Sequence, residues 1–464
     1  MDPASLLLSP QPPTGQEALP RAQAPLSFTQ LSHWHLGGLA ERPAVRQIVS
    51  ATQLQGPLNT QALQRSLDES VRRHHALRTR LVLSEGVPLQ EVLESCRCEI
   101  EYVTHPAVPH SQRHDLICLE IERFVRQPVD ISQAPLFGVK VLRLSADEHV
   151  LIIAMEHSIS DASSMRILLR DLFEVYSQVL ANREIALPPV GIQYPEYATR
   201  QRRGHSAWLA KHGPYWCEHL STAERLKVPR DDGHPASNRI GWDMAPFRLE
   251  RALRSTFTGI SRAHQVTLPV CMFAAYAAFV LCWCKSPHGV FLYQSDGRLT
   301  SRVQNTIGLF AAVLYLEVEI RPSDRFGGLL TRVMEEYCNA CEHFDYGFTE
   351  SRVPRPQFTR NSGFSWIPSA PAADVSDGVA SQSPLHLTPV SFEHPLRKTL
   401  ERDFEPSIGF YDRGDEVDGG VHFPLACFSF ETAARFAQEF LAFLTELARQ
   451  PEATVTDIAR GVIR

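Results

Sequence analysis

No run of apolar residues in this 464-residue chain reaches the ~18–20 that a membrane-spanning helix needs. The longest, residues 268–283, reads as a buried helix. A basic excess is missing too. Lys and Arg total 46 against 52 Asp and Glu, a net charge of −6, which argues against a nucleic-acid surface. The opening Met1-Asp2-Pro3 carries no basic stretch, so no secretory signal and a cytoplasmic setting are expected. The ten cysteines lack partners at useful spacing. Cys96-x-Cys98, Cys282-x-Cys284 and Cys338-x-x-Cys341 have no second pair at zinc-site distance, and ten in so long a chain do not make a disulfide scaffold. Buried thiols and no metal are expected.

What is present is ordinary for a globular protein: 44% hydrophobic and 21% charged residues. The length suggests two units. Residues 1–25, rich in Pro, Gln and Ala, read as a flexible leader, with a docking tail as the alternative. Helical spacing through Leu63, Leu67 and Val71 marks residues 59–73. His74-His75 follows; neighbours on a helix point about 100° apart, so the pair reads as structural and not as a metal site. Residues 135–144 and 150–155 read as neighbouring strands around Ser145-Ala146-Asp147-Glu148. A helix after Ser163 would bury Met165, Leu168, Leu172, Val175 and Val179 on one stripe.

Leu187-Pro188-Pro189 closes a first half, so the expected division is 26–190 and 191–464. The second half reads as helix over 197–220 and 266–283, strand over 290–293 and 307–320, then helix over 326–343. Strand 361–367, loop 368–385, strand 420–423 and helix 431–448 complete it. This alternation predicts an α/β protein of two packed units.

The segment with most chemistry in it is Glu156-His157-Ser158-Ile159-Ser160-Asp161-Ala162-Ser163-Ser164. An apolar run, residues 150–155, leads into it, and a helical pattern follows. One histidine therefore sits where a buried strand ends, four residues before an aspartate that can cap the next helix. Taken alone, the pattern reads as a core histidine and an ordinary cap, because short motifs recur by chance. The functional reading is a general base: neutral imidazole, with an ordinary pKa near ~6.5, suits proton transfer near neutrality. Asp161 lies past a tight turn, better placed to cap the helix or pair with an arginine than to touch His157.

The layout resembles the His-His-x-x-x-Asp-Gly motif of the condensation domains of nonribosomal peptide synthetases, related to chloramphenicol-acetyltransferase-like acyltransferases. Glu156 stands in place of the first His and Ala162 in place of the Gly. Other pieces resemble the family in order: Leu26-Ser27-x-x-Gln30; Arg73-His74-x-x-Leu77-Arg78-Thr79; Gln127-Pro128-Val129-Asp130-Ile131; Gln193-Tyr194-Pro195; Asp296-Gly297-Arg298 with Ile307-Gly308-Leu309-Phe310; and Gly419-Gly420-Val421-His422-Phe423. Ala311-Ala312 stand where the family often has Val-Asn. His343 is followed by Gly347-Phe348 where the family often has Pro-Phe.

The resemblance implies two chloramphenicol-acetyltransferase-like subdomains in a V-shaped pseudo-dimer with a central tunnel. It implies His157 as the catalytic residue and Arg298 as the partner of Asp161, the alternative being a solvated loop arginine. Glu156 is expected to be structural, since adjacent strand residues face opposite sides. Ala162, Ser163 and Gly308 are candidates for the oxyanion site or tunnel wall. The implied reaction moves an acyl group from the phosphopantetheine thioester of an acyl or peptidyl carrier protein to an amine or hydroxyl, free or carrier-bound, in nonribosomal peptide or hybrid polyketide biosynthesis. No bound cofactor is implied. In 464 residues no carrier, adenylation or thioesterase domain fits beside such a unit, so a free-standing enzyme is expected. The alternatives are an acyl-CoA-dependent acyltransferase and a non-catalytic recruitment module.

Overall fold

Val150, Leu151, Ile152, Ile153, Ala154 and Met155 are all buried. They show no polar alternation because their strand is covered on both faces. Leu151, Ile153 and Met155 join one apolar cluster with Leu168 and Leu172. Val150, Ile152 and Ala154 join another with Ile117, Ile121 and Phe124. The segment carrying the histidine thus leaves the middle of a rigid layer.

The structure is a computed structural model. It describes residues 23–36, 46–105, 108–220, 226, 228–231, 241–344, 361–368, 385–390, 392, 405–412 and 417–463. The leader through residue 22, Gly347-Phe348 and residues 369–384 of the expected loop lie outside them. In chain order the first half holds β1 (Gln23–Pro25), α1 (Phe28–Leu36), β2 (Arg46–Gln55), α2 (Thr60–Arg73), β3 (Thr79–Ser84), β4 (Val87–Val92), β5 (Ile100–Thr104), α3 (His110–Val125), β6 (Phe137–Arg143), β7 (Glu148–Glu156) and α4 (Ala162–Leu180). There follow α5 (Tyr194–His219), β8 (Trp242–Leu249), α6 (Arg251–Ala263), α7 (Leu268–Trp283), β9 (His288–Ser295), β10 (Ala312–Glu319) and α8 (Phe326–Glu342). Then come β11 (Gly363–Pro368), β12 (His386–Pro389), β13 (Ser407–Asp412), β14 (Val417–Pro424), α9 (Phe430–Arg449) and α10 (Val455–Val462).

One sheet runs β12-β2-β7-β6-β5, a second β10-β9-β11-β13-β14-β8, and a small third β1-β4-β3. β12, from late in the chain, pairs antiparallel with β2, His386 opposite Gln55. In the second sheet's unit, α7 is buried from Val270 through Leu281 on every side, as its continuous apolar sequence requires. Among the described residues no single helix is long and apolar enough to cross a membrane.

The end of α2 is tied to the middle of α4 by charge. Asp171 on α4 takes Arg73 Nε at 3.0 Å and His74 Nε2 at 2.9 Å. His74 is thereby spent on a buried structural pair.

Four expectations differ from the structure. The last three residues of the expected leader form β1, because they complete a ladder with β4. Helix α5 starts at Tyr194, three residues early, with Pro195 in its first turn, where its missing N–H costs nothing. The strand expected over 307–320 begins only at Ala312, because the backbone before it turns inward to the site. Only Cys98 and Cys271 of the ten free thiols are buried, and Cys217 and Cys338 are exposed.

Candidate active site

β7 ends at Glu156, and His157 opens a single 3-10 turn to Ile159 before α4. The partly buried His157 ring is fixed by its own turn: Nδ1 lies 2.8 Å from the Ser160 carbonyl. A carbonyl only accepts, so Nδ1 carries the hydrogen and Nε2 is left with a lone pair. Burial above all, then the charge of His33, holds His157 below the ordinary histidine value. The Ser160 carbonyl, Glu156 and Asp161 oppose this in part. The neutral form is therefore favoured near neutrality.

The turn is held from outside by α1. Ser27 and Gln30 form a reciprocal cap, Ser27 N–H to Gln30 Oε1 at 3.0 Å and Gln30 N–H to Ser27 Oγ at 3.1 Å. The same Gln30 donates Nε2–H to the Ser158 carbonyl at 2.9 Å. Ser27 Oγ lies 2.7 Å from the Tyr194 hydroxyl, which donates to the Leu309 carbonyl at 2.6 Å. One chain of polar contacts thus links the entry of α1, the histidine turn, α5 and the 307–311 segment.

Asp161 is the hub. It is the N-cap of α4, accepting from Ser164 N–H at 2.7 Å. Arg298 reaches it bidentately, Nη1 to Oδ2 at 2.8 Å and Nη2 to Oδ1 at 3.0 Å. The N–H groups of Phe310 and Ala311 donate to Oδ2 at 2.9 and 3.1 Å. The arginine also lies over the Phe310 ring, 4.5 Å from its centroid. Both charged side chains are buried, at 1% and 3% exposure, so Arg298 is not a solvated loop residue. Burial opposes the Asp161 charge, but Arg298 and Ser164 outweigh it and hold the carboxyl below the usual range.

Ala162 is exposed and Ser163 buried at the N-terminus of α4. Their N–H groups precede the first intrahelical bond and point from the positive end of the helix. Gly308 is different. Its N–H donates to Ser164 Oγ at 3.0 Å, so it is not available to a substrate oxyanion. Its lack of a side chain serves packing, for a Cβ there would enter the Tyr194 ring. Gly308→Ala is expected to destabilise by about 1–3 kcal/mol through overpacking. A urea midpoint equal to the parent's would show that the loop can retreat. A cavity of about 160 Å³ lies beside the Arg298 loop, lined by Tyr197, Arg200, Gly297 and Arg302 among others. His157 is not in its lining.

Glu156 is fully buried, accepts from Ser158 N–H and has His33 Nε2 at 3.4 Å. The sequence reading missed His33, Tyr194, Ser164 and the two backbone donors. The Ser27-x-x-Gln30 spacing is a capping-box signature and was the one available signal for α1's role.

A family model described as "Condensation domain" matches residues 21–459. The chain belongs to the condensation-domain family. This condensation domain is 26% identical over 442 residues to malpibaldin synthetase of Mortierella alpina, covering 93% of this chain and 8% of that protein. It is 26% identical over 438 residues to surfactin synthase subunit 1 of Bacillus subtilis (strain 168), covering 93% and 12%. The chain therefore spans about a tenth of the length of these curated relatives. A solved structure of the condensation domain from the monacolin K polyketide synthase MokA superposes with a TM-score of 0.78 at 18% identity, covering 94% of this chain and 99% of that one. The fold is that of condensation domains, two chloramphenicol-acetyltransferase-like subdomains of mixed α/β structure.

Proposed function

We propose that this condensation domain transfers an acyl group from a carrier-bound phosphopantetheine thioester to an amine or hydroxyl. The observation that carries the reading is the contact of His157 Nδ1 with the Ser160 carbonyl, which commits Nδ1–H and leaves Nε2 its lone pair. The nucleophile gives its proton to Nε2 as its heteroatom attacks the thioester carbonyl. The negative charge that develops on the carbonyl oxygen faces the N–H groups of Ala162 and Ser163 at the head of α4. Collapse breaks the C–S bond, and the imidazolium returns the proton to the departing thiolate. The products are an amide or ester and a free pantetheine thiol. Asp161 and Arg298 position the loop and touch no reacting atom.

The donor is an acyl or peptidyl carrier protein rather than free CoA. A tethered arm supplies effective concentration, so intrinsic affinity for the acyl group can be low. The test presents one acyl group on a carrier protein, on CoA and on a short pantetheine mimic, with a panel of amines and alcohols, and follows the donor by intact mass spectrometry. A clear rate advantage for the carrier is expected. Equal rates from acyl-CoA would make the chain a diffusible-substrate acyltransferase.

A further inference from the structure

The transfer scheme leaves one buried charge beside the base unused. Glu156 ends β7 with no exposed surface, and an isolated carboxylate is costly to bury. Among the described residues its partners are Ser158 N–H and His33, brought in by α1. His33 Nε2 stands 3.4 Å from Oε1, at the long end of a hydrogen bond, and must carry a hydrogen because the carboxylate only accepts. The same imidazole meets the His157 ring edge-on, with centroids 5.3 Å apart. His33 therefore touches both the carboxylate and the base. Burial opposes the Glu156 charge, while His33 and Ser158 outweigh it and keep the carboxyl below its ordinary range. The charges acting on His157 are His33, which disfavours its protonation, and Glu156 and Asp161, which favour it. Asp161 is already neutralised by Arg298. In the β2–β7 ladder the residue opposite Glu156 is Arg46.

We propose that His33 is a positioning residue of the reaction: held between the Glu156 carboxylate and the His157 ring, it offsets the buried Glu156 charge and so leaves His157 Nε2 free to take the nucleophile's proton. The inference rests on the reading of His157 as the base. Physically, an uncompensated carboxylate next to an imidazole draws a proton onto it. Here α1 brings the His33 imidazole up to that carboxylate.

The experiment compares the parent protein, His33→Gln, His33→Lys, Glu156→Gln and the His33→Gln/Glu156→Gln pair, with His157→Ala as reference. Two readouts are taken: the pH profile of kcat/KM for acyl transfer, and the NMR titration of the His157 ring, identified by its loss in His157→Ala. In the parent, the acid limb is expected below the ordinary histidine value of 6.5. Protonation removes the base, so activity falls as pH drops through the folded value. His33→Gln is expected to move both the limb and the ring titration upward, by about one pH unit, a tenfold loss of rate on the limb. Adding Glu156→Gln returns both to the parent position, and His33→Lys keeps them there.

Coincident curves for His33→Gln and the parent would overturn the inference, as would a double variant that stays displaced as far as the single one. If His33→Gln does not fold, His33→Lys decides, and an upward displacement in it overturns the inference. Full turnover by His157→Ala with a displaced ring titration in His33→Gln would leave the charge pairing standing and remove the base reading. Loss of turnover in His157→Ala with no displacement would do the reverse.

Discussion

His157→Ala is expected to lower turnover by about two to four orders of magnitude, the usual contribution of a positioned general base. The fold should survive. The ring is only partly buried, and among the described residues its polar contact is to Ser160, at the end of the same turn. The remaining supports of that turn are independent of it: Gln30 on the Ser158 carbonyl, and Ser160 Oγ on the Glu156 carbonyl at 2.9 Å. Thermal melting and acyl-transfer rates on the same preparation separate the two effects. A folded variant with undiminished transfer would take His157 out of the chemistry and favour a recruitment role for the chain.

The second large effect is on stability. Asp161→Ala leaves Arg298 buried without its carboxylate, and Arg298→Ala leaves Asp161 without its cation. Each is expected to cost about 3–5 kcal/mol, the penalty of stranding one member of a buried ion pair. Asp161→Ala should be the worse of the two, because it also orphans the N–H groups of Ser164, Phe310 and Ala311. In the double variant no charge is stranded, so its cost should fall short of the sum of the singles. Denaturant unfolding of all four proteins gives the coupling. Strict additivity would mean that the pair contributes no interaction of its own.

The contrast between these two residues explains what could be read from the chain. The places of His157 at a strand end and Asp161 at a helix cap were legible because a buried strand, a turn and a capped helix impose period and spacing on the sequence, while their expected roles came from the family resemblance. Arg298 was reachable only through its resemblance to a family motif, since nothing local marks a loop arginine as buried. The N–H groups of Phe310 and Ala311 carry no side-chain signature at all. Their apolar neighbours from Ile307 onward imitate a strand, and only the pull of Asp161 on the backbone delays β10 to Ala312. Gly308 suggested an oxyanion donor by its place. The structure spends its N–H on Ser164 and uses its missing side chain to admit Tyr194. His33 lies 123 residues before Glu156, and no pattern in either segment announces the other. Glu156 was expected to be structural, and the structure buries it against Ser158 and His33.

The strand β12 has a consequence for how the chain acquires its shape. On a ribosome the first half emerges with β2, β7, β6 and β5 complete, but its outer strand β2 has an unpaired row of N–H and C=O groups until His386–Pro389 is made. Such a free border invites pairing with other molecules. Contacts between distant parts of a sequence also form late, after a large loss of chain entropy. The nascent protein therefore waits with an open seam through most of its synthesis, and a fragment cut after α4 would keep that seam permanently. Aggregation of such a fragment would reflect the missing cover of β2 rather than any weakness in the core around β7.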